Sequence, residues 1–549
     1  MMKKKISRFI WSLVVVSVVA HTSLGASFYV DPVNGDMSGD GSASNPWRTI
    51  QEVVENGLIE TQEWESLPYE DGAELVPRND GAPVKAGDTI LLRSGYHGEL
   101  VIESHYNSDW ITVAAEEGHT PELSRVHVRS SANWILRGFT VSPELAADYE
   151  CDTLIFIESH NWRGPVFDIT VEDCTAYSVA DSSAWSVEDW NNIVCNGARA
   201  DGERITLRGN TLKNVDFGIS VNAKDSLIER NTVENFSGDG MRGLGDDTVF
   251  QYNTVKNSYD VNDNHDDGFQ SWSRGEDDNV GTGEVKGIVL RGNLIINYEN
   301  PDRPHRGSLQ GIGCFDGMFV GWIVENNVVV TDHWHGITLS GARDCRIVNN
   351  TVIDLNDESP GPPWIRIGSH KNGTQSQDCV VRNNLTTALN LDEGQNIVED
   401  HNLIVEDLDA LFVDAASFDL HLVASAAAID QGSEELAPSA DRDGIVRPQG
   451  QAVDIGAYEY CAGECETTDA GVDSGADGDV DSDSDTDSDS DSDTDADSDS
   501  NTDVDSDTND APSSDDGNDG GDGSSSGSCD CSQVGRTDRA GLLRWIMRK

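Results

Sequence analysis

The chain is predicted to be an all-β solenoid of stacked parallel strands. Two short patterns interleave along its middle, their spacing is regular where nothing interrupts it, and no helical periodicity runs between them. The first pattern is a Gly or small turn followed by an alternating apolar strand: Phe217 to Val221, Asp239-Gly240-Met241-Arg242, His265 to Trp272, Gln310 to Cys314, His335 to Leu339 and Trp364 to Ile367. The second is an Asn followed by strand formers, at Asn210, Asn231, Asn253, Asn293, Asn327, Asn350 and Asn384. The uninterrupted period is about 22 residues, and longer intervals hold Gly, Asp and Pro stretches that read as insertions. Short strands of this kind can satisfy their backbone groups only by pairing with the next unit. Coils therefore stack roughly 4.8 Å apart and equivalent residues form columns. An Asn column at a turn has its own reason, because stacked amides bond to one another up the coil.

In chain order, residues 1–26 combine a Lys-rich start, an apolar run from Phe9 to Ala20 and small residues at Ser23, Gly25 and Ala26. The run is too short to span a membrane, so it reads as a secretory signal peptide and places the mature protein outside the cytoplasm, where disulfides are permitted. A strand at Ser27 to Val30 precedes a short amphipathic helix expected to start near Pro46 and to cap the open end of the core. Ala86 to Tyr96 and Trp134 to Val141 read as early rungs. Residues 27–460 form one domain, since a solenoid grows by repetition and need not divide. Residues 461–528 are Asp/Ser-rich, with neither Lys nor Arg between Glu466 and Ser528, and cannot bury enough surface to order themselves; they read as a disordered acidic linker. Residues 529–549 carry Cys529-Asp530-Cys531, a short apolar run and a basic end.

Of ten Cys, Cys345 and Cys379 hold matching places in consecutive rungs and read either as a bridge or as two small buried residues; Cys461 and Cys465 are expected to close a loop after the last rung. No zinc-type spacing occurs. The net charge of −62 sets nucleic acid aside, no protein partner is implied, and a monomer is expected.

These repeats resemble the right-handed parallel β-helix proteins of the pectate-lyase-like superfamily, over roughly Ser27 to Tyr460. The resemblance implies a right-handed coil, and Phe418 to Leu422 with Asp454 to Tyr460 are similar to the closing segments of such proteins. Residues 529–549 resemble bacterial surface-sorting tails, although the apolar run is shorter than a membrane span and is broken by Arg544.

Alternation within each strand predicts the chemistry. With Ile219, Met241, Phe269, Ile312, Ile337 and Ile365 facing inward, Ser220, Arg242, Gln270, Gly313, Thr338 and Arg366 form one outward column. Trp272, Phe315 and Ser340 form the next, and Asp239, Asp267, Gln310 and His335 line the strand entrances. Charge, amide and aromatic groups side by side suit a hydroxyl-rich polymer: Arg242 and Arg366 pair with carboxylates, Gln270 and His370 hydrogen-bond, and Trp272 and Phe315 stack on sugar rings. Asp239, Asp263, Asp266 and Asp267 gather carboxylates on adjacent rungs, read either as a Ca²⁺ site or as ordinary Asp-Gly turn chemistry.

Asp266-Asp267-Gly268 resembles the calcium-binding segment of calcium-dependent polysaccharide lyases of this fold. The resemblance implies Ca²⁺ as cofactor, an acidic polysaccharide as partner, and β-elimination started by a base at C5 of a uronate. Lys371, His335 and His265 are the candidate bases, with Arg242 beside them. Arg303 and Arg306, in an insertion, join Arg242, Arg366, His370 and Lys371 as cations able to make the groove locally positive. Three other readings stay open: a C5-epimerase sharing the proton abstraction, an inverting hydrolase using Asp239 and Asp267, and a non-catalytic glycan binder at the cell surface.

Overall fold

The structure is a computed structural model that describes residues 25–276, 279–356, 358–391 and 393–468. Most of the expected signal peptide, most of the acidic linker and the whole C-terminal tail lie outside the described residues.

Three long parallel sheets run the length of the domain, and each coil contributes one short strand to each, making a right-handed β-helix. A representative coil runs through Leu227–Glu229, Thr232–Phe236 and Met241–Gly243 before the next begins at Val249–Gln251. The inward residues stack by identity of type: Ile219 on Met241, Met241 on Phe269, Phe269 on Ile312 and Ile312 on Ile337. All five are buried in one continuous core.

The corner between the first and second sheets explains the Asn pattern. Each ladder Asn follows a residue in the left-handed region, such as Arg230 (φ 55°), Tyr252 (φ 55°) or Asn349 (φ 54°), and that residue turns the chain within one position. The Asn side chain then bonds to the next coil: Asn210 Nδ2 donates to Asn231 Oδ1 at 3.0 Å across 21 residues, and Asn231 to Asn253 at 3.0 Å across 22. The series continues through Asn293, Asn327, Asn350 and Asn384 to Asn402. The same oxygens accept the backbone N–H of the preceding coil's Asn, so few corner groups are left without partners. Wider intervals of 40 and 34 residues confirm that the insertions leave the ladder intact.

The start of the capping helix needs correction, and the structure adds features that local pattern did not foresee. The capping helix is Ile50–Glu55, starting at Thr49, whose hydroxyl accepts from Glu52 N–H; Trp47, just after Pro46, instead forms a strand-like bridge with Val30. A second short helix, Val187–Asn192, with a capping box at Ser186 and Asp189, lies in an insertion. Cys345 and Cys379 are both free buried thiols, the bland alternative of the two, whereas Cys151 and Cys195, 44 residues apart, form a disulfide not foreseen; Cys461 and Cys465 do bridge. The closing segment does not continue the coil. Leu411, Phe412, Leu420, Ile455 and Ala457 dock on Val328, Val330, Ile353 and Leu385, the outward residues of the second sheet. This explains why Val328, Val329 and Val330 are buried on both faces.

Candidate functional site

The outward column of the third sheet is as the alternation predicts. Register pairs run Ser220 to Arg242, Arg242 to Gln270, Gln270 to Gly313, Gly313 to Thr338 and Thr338 to Arg366. Asp267 pairs with Gln310 at the strand entrance. The next column is less regular: a bulge after Gln270 sets Trp272 against Asp316, so Phe315 is displaced from the expected line.

The strand-entrance carboxylates are not on an open face. Asp267 is 0 % exposed and Asp239 is 2 % exposed, each covered by a neighbour it binds. Asp239 pairs with Arg242 and accepts the Asp267 backbone N–H through Oδ1 at 3.1 Å. The Arg242 guanidinium lies 3.7 Å from the Phe217 ring centroid and 5.4 Å from that of Trp272. Trp272, half-buried, therefore packs on a cation. Asp267 Oδ2 accepts from Gln270 Nε2 at 2.7 Å and meets His265 Nδ1 at 3.1 Å. Its Oδ1 is buried without a hydrogen-bond partner, in the space left by Gly313, where an added β-carbon would sit 1.9 Å away.

Burial, helped by the negative charge of Asp239, pushes the Asp267 carboxyl up to about 7, against the opposing bonds from His265 and Gln270. Asp216, across from Arg242, is also raised by burial, to about 6. His335 donates to or accepts from Thr338 Oγ1 at 2.9 Å through Nδ1, packs edge-on against Phe315 and Trp364, and is held down at about 3, first by burial and then by His333, Arg366 and His265. Burial likewise lowers His333, to about 4. At neutral pH both rings are neutral.

The acidic set does not fit calcium. Asp239 is bound to Arg242, Asp267 to Gln270 and His265, and Asp266 to Ser258 Oγ at 2.7 Å, while Asp263 is exposed. Among the described residues no group of three or more His, Cys, Asp or Glu is placed to hold a metal ion. Burial drives the Asp266 carboxyl well above its ordinary range, beside the Ser258 hydroxyl.

The remaining expected residues divide. Arg366 stays on the groove, paired with Glu393 at 2.9 Å. Lys371 pairs with Asp316 at 3.1 Å, and Arg306 with Glu358 at 2.6 Å. Arg303 lies over Tyr259 and donates to Asn257 O at 3.1 Å. The expected local excess of positive charge is thus largely matched by carboxylates. His370 is buried, its Nδ1 accepting from Asn372 N–H within its own loop. Sequence reasoning gave no role to Asp216, Phe217, His333, Trp334 or Trp364. Their signal was weak: each sits at a turn or a strand entrance, where alternation does not fix direction.

No family model and no curated protein matches the chain. Among solved structures it is similar to pectate lyase Pel9A, at 14% identity and a TM-score of 0.39 over 80% of this chain and 97% of that one. It is also similar to XylC in complex with xylose, at 11% identity and 0.49 over 80% and 99%. A third likeness is to the A-module of the Azotobacter vinelandii mannuronan C-5 epimerase AlgE4, at 13% identity and 0.32 over 58% and 91%. At these identities the likeness concerns the fold alone.

Proposed function

We propose that this is a secreted polysaccharide-active enzyme that cleaves a uronate-containing chain by β-elimination, with His265 as the base. The contact that carries the reading is the 3.1 Å approach of His265 Nδ1 to the wholly buried Asp267. A carboxylate there orients the imidazole and stabilises the imidazolium formed when Nε2 takes a proton, as in other His–Asp pairs. The proton at C5 of the uronate passes to His265, the electron pair forms the C4–C5 double bond, and the C4–O bond breaks. The departing oxygen takes a proton, which the imidazolium can return.

The charge that develops on the uronate carboxylate needs a cation. Arg366 serves, because its partner Glu393 is half exposed, and an exposed ion pair of this kind is worth only about 0–1 kcal/mol and exchanges readily for a substrate carboxylate. No step is assigned to a metal.

A second reading is favoured by one observation. An Asp267 carboxyl that holds its proton near neutral pH is what a hydrolase needs in a general acid, with Asp239 as its partner. Products decide between them. Incubation with a panel of uronate polymers should yield unsaturated uronate absorbance, lost in His265→Ala. Reducing ends without that absorbance select the hydrolase, altered uronate composition without cleavage the epimerase, and retention without products the binder.

A further inference from the structure

We infer that Trp334 is a sugar-stacking subsite that holds one pyranose ring of the polymer beside the Thr338–Arg366 end of the groove column. The inference deepens the reading above and rests on it for the identity of the polymer. Large apolar side chains are exposed singly on most proteins and need no explanation. Trp334 differs in what lies behind it. Its indole is 47 % exposed, yet it is stacked on Trp364 at 6.2 Å between centroids and 18° between planes. The Arg366 guanidinium lies on the Trp364 ring in turn, 5.8 Å from its centroid.

Trp364 is pinned by its Nε1, which reaches Thr338 Oγ1 at 3.3 Å and His335 Nδ1 at 3.4 Å. The Trp334 carbonyl accepts from Trp364 N–H at 2.8 Å and from Gly336 N–H at 3.0 Å, which fixes its backbone to the same strands. The outer indole is therefore held out to water by an ordered stack that leads directly into the groove column. A rigid exposed ring loses little entropy on binding, and the apolar face of a pyranose is the natural occupant of such a surface on a glycan-binding flank. Trp162, the other strongly exposed Trp among the described residues, makes no ring contact with a groove residue and serves as the control.

Affinity electrophoresis of the full chain through gels containing polygalacturonate, alginate or, as an uncharged control, xylan gives the test. At least one polymer should retard the wild type. Trp334→Ala should weaken that retardation about 3- to 10-fold, Trp334→Phe should restore most of it, and Trp162→Ala should leave it intact. In turnover, Trp334→Ala should raise KM by the same factor with kcat and the pH profile unchanged. Equal retardation of Trp334→Ala and wild type, or retardation of the wild type by none of the polymers, overturns the inference. The two readings fail separately: loss of binding in Trp334→Ala without any products from the wild type sinks the enzyme and keeps the subsite, and products unaffected by Trp334→Ala do the reverse.

Discussion

Oδ1 of Asp267 lies 1.9 Å from the point at which a side chain on Gly313 would begin. Gly313 sits one coil further along, paired with Gln270, and its missing β-carbon is what lets the buried carboxyl of Asp267 turn towards His265. Gly313→Ala should push that carboxyl out of place. Overpacking of this kind costs about 1–3 kcal/mol of stability, and activity should drop by about tenfold or more in protein that remains folded. Circular dichroism with initial rates checks this; a fully active Gly313→Ala would show that the carboxyl's position does not matter.

Asp267 also predicts a pH signature. Its folded pKa, about 7, lies above the ordinary 3.8, so the folded chain binds the extra proton between those values. The stability it contributes is complete below pH 3.8 and is lost as pH rises through about 7. The melting temperature of Asp267→Asn minus that of the wild type should therefore grow more positive by a few degrees between pH 5 and pH 8, on the order of a few °C. His335 acts with the opposite sign. Its pKa, held at about 3, lies below the ordinary 6.5, so its burial weighs against the fold as pH falls from 6.5 towards 3.

The carboxylates' existing partners bear on metal removal. With Asp239 and Asp267 occupied by Arg242, Gln270 and His265, activity on uronate polymer should survive exhaustive chelation within about twofold. Abolition by chelator and recovery with Ca²⁺ would reverse the assignment of these residues.

The amide ladder should dominate the domain's polar stability. Asn293 bonds the Phe250 carbonyl and Asn327 Oδ1, and its own oxygen accepts from Asn253. Asn293→Ala strands several of these buried groups, each costing about 1–3 kcal/mol, and should lower the chemical-denaturation midpoint far more than Asn402→Ala at the partly buried end of the series.

Much of this was readable from residue order. The ladder was legible because each Asn precedes a strand at a regular interval, and the column from Ser220 to Arg366 because side chains alternate strictly within a strand. The acidic set was less legible: Asp266 precedes the strand that Asp267 opens, and the two turn to different partners, Ser258 and His265. The bulge that moves Trp272 against Asp316, the Cys151–Cys195 bridge and the docking of Ile455 on the second sheet depend on contacts far apart in the chain. Local pattern carries no record of these. The Trp334–Trp364 stack joins residues separated by an insertion, and its partners are set by where that loop returns.

Every amide in the ladder points the same way, from one corner to its successor. A duplicated segment from Asn231 to Tyr252 would thus find a ready donor below and a ready acceptor above, and would lengthen the rod by one step of roughly 4.8 Å without disturbing the pairing elsewhere. The whole turn, and not the single residue, is the natural unit by which this architecture can gain or shed length.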